Sequence, residues 1–356
     1  YKLHNKTGLL KKPRFFYNKF SRKRKEMKTM KKAASFGVCI TLLCGIITGC
    51  NANQNTEEMI PSSQGEIVVQ ETTQNRYTTD TKISEVISDP VFGEYGRLIF
   101  PVDKGYYSGE TLGELELTWY NNIDPEKTVE ITNYLKEQAQ AGETVFYDIY
   151  TEEEKTSDPD KEDTGLFFFK GTPGERFAVC NAGGGFAYVG AMQDSFPHAL
   201  ELSKMGYNAF ALIYRPGAQT ACEDLARAIS FIFSHADELE VNTDCYSLWG
   251  GSAGARMAAY LGSYGPEAFG GDDLPRPGAA VIQYTGHSDY TENDPPTYTC
   301  VGDNDGIANW HTMQTRLENL NELGIPTEFH RYPGLGHGFG LGTGTSAEGW
   351  IEEAVI

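Results

Sequence analysis

From residue 165 onward, short apolar runs alternate with amphipathic stretches. The runs fall at 166–169, 177–180, 209–214, 246–249, 279–284, 298–301 and 327–332, and most are continuously apolar. Unbroken apolarity in runs this short is the pattern of strands buried on both faces, which predicts parallel rather than one-sided antiparallel pairing. Between them, Leu225, Ala228, Ile229, Ile232 and Phe233 form an apolar stripe at helical spacing. Trp310, Met313, Leu317 and Leu320 form another, with Gly324 and Pro326 as its stop. The alternation makes the fold class α/β, with a mostly parallel central sheet and helices on both faces. A last helix is expected over 346–351.

Upstream, the pattern loosens. Residues 96–101 and 144–150 read as strands, and a helix begins near Asp124-Pro125-Glu126 and carries Val129, Ile131 and Leu135. Proline just inside a start, beside an acid, is an N-terminal signal. The charged run 152–163 reads as a solvated loop. Residues 50–90 are rich in Gln, Asn, Thr, Ser and Glu with little apolar periodicity, and are expected to form a flexible tether. The folded domain is therefore expected over 91–356, with the strands and helix of 94–165 as its N-terminal part.

Charge separates the first residues from the rest. Residues 1–49 hold 13 of the 30 Lys and Arg but only one of the 49 acids, Glu26, so the formal net charge of −19 conceals a remainder at −31. So acidic a body argues against nucleic acid and anionic membrane surfaces as partners. The basic end has its own logic. Met27-Lys28-Thr29-Met30-Lys31-Lys32 is a positive n-region, 33–47 is an apolar stretch too short for a comfortable span, and Ile47-Thr48-Gly49-Cys50 follows. This resembles a bacterial lipoprotein signal peptide over 27–49, with Cys50 the lipidated residue. The implication is an exported protein, lipid-anchored at the cell surface and touching the membrane only through that anchor. Residues 1–26, rich in Lys and Arg and without an initiating Met, are expected to be an upstream extension outside the fold.

Four further cysteines, Cys180, Cys222, Cys245 and Cys300, suit neither a zinc site nor a disulfide framework and are expected as free thiols. Neither they nor the charged run 152–163 matches a metal-binding spacing, and no metal or cofactor is expected.

The candidate chemistry sits at strand ends. Tyr246-Ser247-Leu248-Trp249 runs into Gly250-Gly251-Ser252-Ala253-Gly254, a G-x-S-x-G turn into a small-residue helix. Such a nucleophile elbow exposes its serine on a strained turn, and a Cβ at Gly250 or Gly254 would collide with neighbouring backbone. Upstream, the strand at 177–180 empties into Gly183-Gly184-Gly185. Glycines there let backbone N–H groups face a substrate, so Gly184, Gly185 and Ala253 are the candidate oxyanion donors. Gly302-Asp303-Asn304-Asp305 follows the strand at 298–301. Asp305 is the expected acid, with Asp303 the alternative. His337, between glycines on a loop after the last strand, has no packing reason to be there and is the expected general base; His330, within that strand, reads as structural. The order Ser, Asp, His along the chain is that of the α/β-hydrolases.

At these residues the chain resembles an α/β-hydrolase of the carboxylesterase and acetyl-esterase type. It is similar both to feruloyl/acetyl-xylan-esterase-like and to hormone-sensitive-lipase-like groups, though Ala182 stands where many members of the latter have histidine. The resemblance covers about 165–356 and implies a serine esterase, with Ser252 as nucleophile, Asp305 as acid and His337 as base. Its substrate would be a small-molecule or glycan-borne ester, with short acyl groups favoured because the segment 263–277 is too short for a large lid. Phe186, Tyr188 and Phe339 are candidate pocket aromatics that could equally be core. His287 lies after another strand end, near the expected site. Two other readings are a peptidase of the prolyl-oligopeptidase type, for which no propeller-length segment precedes residue 165, and a surface binding module without turnover.

Overall fold

The computed structural model describes residues 76–120 and 123–355. The expected extension at 1–26, the signal at 27–49 and Cys50 lie outside the described residues. A two-stranded ribbon, β1 (Tyr107–Ser108) and β2 (Glu116–Leu117), precedes the main sheet. That sheet comprises β3 (Phe146–Tyr147), β4 (Gly165–Phe169), β5 (Arg176–Asn181), β6 (Asn208–Ile213), β7 (Asn242–Gly251), β8 (Ala279–Gln283), β9 (Thr297–Gly302) and β10 (Thr327–Tyr332).

Across the sheet the strands run β3-β4-β6-β5-β7-β8-β9-β10, and only β4 is antiparallel to its neighbours. This is the α/β-hydrolase fold. The chain steps from β5 to β6 in one direction, then returns across β5 to lay down β7 on its other side. Right-handed crossovers therefore put the intervening helices, α4 (Ser195–Lys204) and α5 (Ala218–Ser234), on opposite faces. The point where the order reverses opens a crevice at the carboxyl ends of β5 and β7, where ligands bind in sheets of this kind. Both the glycine run and Ser252 lie there.

The core strands are apolar because both faces are covered. β4, β6 and β9 are buried at every position. The stripe foreseen on α5 is buried through Leu225, Ala228, Ile229 and Ile232. α6 (Ala253–Tyr264) packs on β7 and β8, and α7 (Trp310–Glu322) on β9 and β10.

The N-terminal part departs from expectation. Residues 76–90, assigned to the tether, belong to the folded domain: a short helix, α1 (Ile83–Ile87), buries Ile83 and Val86. Asn133 of α2 (Pro125–Gln140) clasps Tyr77, accepting its N–H at 2.8 Å and donating to its carbonyl at 2.9 Å. The polar composition that suggested a tether is real, but two apolar residues three apart suffice to anchor a single turn. Of residues 96–101, expected as a strand, 96–98 instead end a 3₁₀ segment (Pro90–Leu98) kinked at Gly93, and 99–101 form no strand.

The run 152–163 lies at the surface with no fully buried residue, yet it is helical: α3 (Glu152–Ser157) starts at a capping box in which Thr151 and Glu154 exchange bonds. The strand expected over 144–150 pairs only at Phe146–Tyr147. The last helix, α8 (Trp350–Ala354), begins later than the expected 346–351 because Gly349, with φ +88°, breaks the chain direction just before it.

Candidate active site

Ser252 sits between the end of β7 and the first residue of α6 with φ +51°, ψ −109°, a left-handed conformation a non-glycine residue holds only under constraint. Its flanking glycines supply that constraint. A Cβ on Gly250 would lie 2.3 Å from the Gly254 carbonyl group, and one on Gly254 would lie 2.1 Å from the Asn181 carbonyl oxygen. The strand, the helix and β5 therefore approach more closely than any side chain permits. The Ser252 N–H donates to the Gln283 carbonyl at 3.1 Å, tying the turn to β8.

Three side chains from separate strand ends converge here. Ser252 Oγ is 3.0 Å from His337 Nε2, and His337 Nδ1 is 2.8 Å from Asp305 Oδ2. The Asp305 carboxylate is fully buried, and its other oxygen accepts the N–H groups of Ile307 and Ala308 at 2.8 and 2.7 Å. An acid so held keeps the Nδ1–H tautomer facing it, which leaves the Nε2 lone pair for the serine proton. Asp303, the alternative, instead accepts the Gly334 N–H at 2.6 Å and stabilises the turn after β10. His330 pairs with Glu328 at 2.7 Å on the strand and is structural.

The glycine loop faces the same point. Gly184 and Gly185 have φ of +126° and +62°. Their N–H groups meet no acceptor among the described residues. Ala253 is the first residue of α6, where a helix leaves its N–H groups unpaired. The amide of Gly183, by contrast, is committed to Asp194 at 2.7 Å.

Several neighbours escaped the sequence. The strap before α2 delivers Trp119 and Tyr120 to the site wall. Trp119 has φ +72°, is 53% exposed, and lies against Gly185, where an added Cβ would meet its ring at 2.9 Å. Tyr120 is buried between Gly190 and Gly338. Tyr284, at the end of β8, sets its ring edge-to-face against His337 at 5.0 Å. Gln193 donates to the Gly338 carbonyl at 2.9 Å. Tyr284 closes the apolar run 279–284, but Trp119, Tyr120 and Gln193 lie in no periodic or glycine-marked pattern that could have pointed to them.

The aromatics weighed earlier divide. Phe339 is core, set edge-to-face against Tyr284 at 4.9 Å. Tyr188 is buried, its hydroxyl donating to the Thr118 carbonyl, whereas Phe186 is half-buried. His287 packs on Tyr260 at 4.6 Å, and burial holds its pKa down to about 4. Cys180, Cys222, Cys245 and Cys300 are free thiols. No cluster among the described residues could hold a metal.

Residues 175–317 match the BD-FAE family model, an α/β-hydrolase-type domain. The matched stretch includes the glycine loop, Ser252 and Asp305, and ends before His337. No curated protein matches the chain. Among solved structures, the chain is similar to an α/β-hydrolase enzyme from a Medee basin deep-sea metagenome library, at 22% identity over 54% of this chain and 90% of that one, with TM-score 0.46. An acetyl ester-xyloside bifunctional hydrolase from Caldicellulosiruptor lactoaceticus matches at 21% identity over 54% and 88%, TM-score 0.46. A thermophilic esterase from the Planctomycetes species Thermogutta terrifontis matches at 22% over 54% and 85%, TM-score 0.46.

Proposed function

We propose that the protein is a serine hydrolase of carboxylic esters, working through an acyl-enzyme on Ser252. The observation that carries this reading is the unbroken chain of contacts from Ser252 Oγ through His337 to the buried Asp305, with Ser252 on a strained strand-to-helix turn. His337 takes the serine proton as Oγ attacks the ester carbonyl, then gives it to the departing alcohol. The amides of Gly184, Gly185 and Ala253 receive the developing oxyanion. Water, deprotonated by the same imidazole, releases the acid and regenerates Ser252. The complete triad also counts against a binding module without turnover, since binding alone has no use for it.

Short acyl groups, acetyl above all, are the proposed substrates, carried on a small alcohol or a polysaccharide. The short segment between α6 and β8 supports an uncovered site. The basic, apolar and Cys50-terminated N-terminal sequence supports export and lipid anchoring at the bacterial cell surface. The test of the chemistry is labelling by a fluorophosphonate probe together with p-nitrophenyl acetate hydrolysis. Both should vanish in Ser252→Ala, and persistence of either would refute the acyl-enzyme. An aminoacyl-p-nitroanilide panel hydrolysed faster than the esters would favour the peptidase.

A further inference from the structure

Asp194 is the N-cap residue of α4, a place where an Asp side chain ordinarily accepts an N–H from the first turn of its own helix. It makes no such bond. Its carboxyl group turns instead toward the reaction centre and is wholly buried there. Oδ2 accepts the Gly183 N–H at 2.7 Å and the Tyr120 hydroxyl at 3.1 Å, while Oδ1 accepts the Tyr284 hydroxyl at 2.5 Å. Among the described residues it pairs with no Lys or Arg, and His337 is a basic group that acts on it. Burial raises its pKa, and the three donors oppose that rise.

These donors come from three segments, and each segment touches the catalytic centre. Gly183 immediately precedes the two glycines whose amides are unengaged. Tyr284 rests against the His337 ring, and its oxygen also takes the N–H of Gly340, three residues past that histidine, at 3.3 Å. Tyr120 lies so close to Gly338 that a Cβ there would meet its ring at 2.5 Å. The carboxyl group also lies against the residue just before the nucleophile: a Cβ on Gly251 would come within 2.6 Å of Oδ2. An acid serving only the fold would cap its helix or pair with a base. This one forgoes both, and its bonds link the oxyanion loop, the histidine loop and the strap.

We propose that Asp194 is a positioning residue for the reaction at Ser252, fixing the direction of the Gly184 and Gly185 amides through the Gly183 N–H and the seating of the His337 loop through Tyr284. The inference rests on the ester-hydrolase reading. Two amides displaced by a fraction of an ångström from the oxyanion remain able to bind substrate but stabilise the transition state less, so the loss falls on kcat and not on KM.

The experiment measures kcat and KM for p-nitrophenyl acetate, and the thermal midpoint, in wild type, Asp194→Ala, Asp194→Asn, Tyr284→Phe and Ser252→Ala. Asp194→Ala should lower kcat about 100-fold with KM within about threefold, the scale of a misplaced oxyanion donor. Asparagine retains an oxygen for the Gly183 N–H and should recover kcat to within roughly tenfold of wild type, and Tyr284→Phe should cost a similar factor. Wild-type kcat in Asp194→Ala below its thermal midpoint would reduce the residue to a structural one. If that variant does not fold, wild-type kcat in both Asp194→Asn and Tyr284→Phe overturns the proposal. Either result, with hydrolysis still lost in Ser252→Ala, sinks the positioning role alone. Undiminished hydrolysis in Ser252→Ala sinks the ester-hydrolase reading and this inference with it.

Discussion

Asp305 reaches His337 Nδ1 at 2.8 Å, while Asp303, two residues earlier on the same loop, reaches only the backbone of Gly334. One carboxylate orients the imidazole and the other closes a turn. Asp305→Asn should therefore lower kcat on the order of 10³–10⁴-fold, because the amide favours the wrong imidazole tautomer. Asp303→Asn should stay within a few-fold. Steady-state kinetics on a soluble short ester decides, and the reverse ranking would exchange their roles.

The elbow's glycines give a stability prediction. Gly254→Ala places a methyl group 2.1 Å from the Asn181 carbonyl oxygen, which belongs to central strand β5 and has nowhere to go. The expected cost is about 3 kcal/mol or more in denaturant unfolding, at the upper end for an overpacked core. Gly286→Ala meets nothing closer than 3.9 Å and should shift stability by no more than about 0.5 kcal/mol.

What was legible in the sequence follows from how each feature is encoded. The order of strands and the positions of Ser252, Asp305 and His337 are written in local signals: unbroken apolar runs, a glycine on either side of a reactive residue, acids just past a strand. Tyr120, Asp194 and Tyr284 are written only in the third dimension. Asp194 before Ser195 reads as an ordinary helix start, and nothing local says that its side chain turns away from the helix. The segment 76–90 was hidden for another reason. Its contribution to the core is a few side chains among polar ones, held by partners such as Asn133 that lie far along the chain.

Two buried histidines make stability depend on pH. Burial lowers the pKa of His198 to about 3, and burial followed by repulsion from Arg316 lowers that of His287 to about 4, against an ordinary value of 6.5. Above pH 6.5 both are neutral folded or unfolded, and their effect on stability is constant. Below it the unfolded chain binds protons that the folded protein refuses, so stability falls as pH drops toward 4. Each such group contributes a slope approaching 1.4 kcal/mol per pH unit. Replacing His287 with Leu should flatten the pH dependence of the unfolding free energy between pH 6 and 4, on the order of one proton's linkage. An unchanged slope would show that the imidazole titrates normally.

Trp119 bears on substrate size. Its ring lies against Gly185 at the site wall and remains 53% exposed. In a p-nitrophenyl ester series, kcat/KM should fall steeply beyond short acyl chains. Trp119→Ala should raise the ratio of long-chain to acetyl turnover by roughly tenfold, the scale of a few methylenes admitted to an apolar surface. An identical chain-length profile in the variant would place the acyl group elsewhere.

The strap that carries Trp119 and Tyr120 lies upstream of the whole stretch 175–317 that bears the family likeness. The likeness covers Ser252 and Asp305 but neither the strap nor His337, so the site is assembled from three separate lengths of the chain. A change at Trp119 would alter the wall beside Gly185 while leaving the Ser252–His337–Asp305 contacts, which are held by other segments, in place.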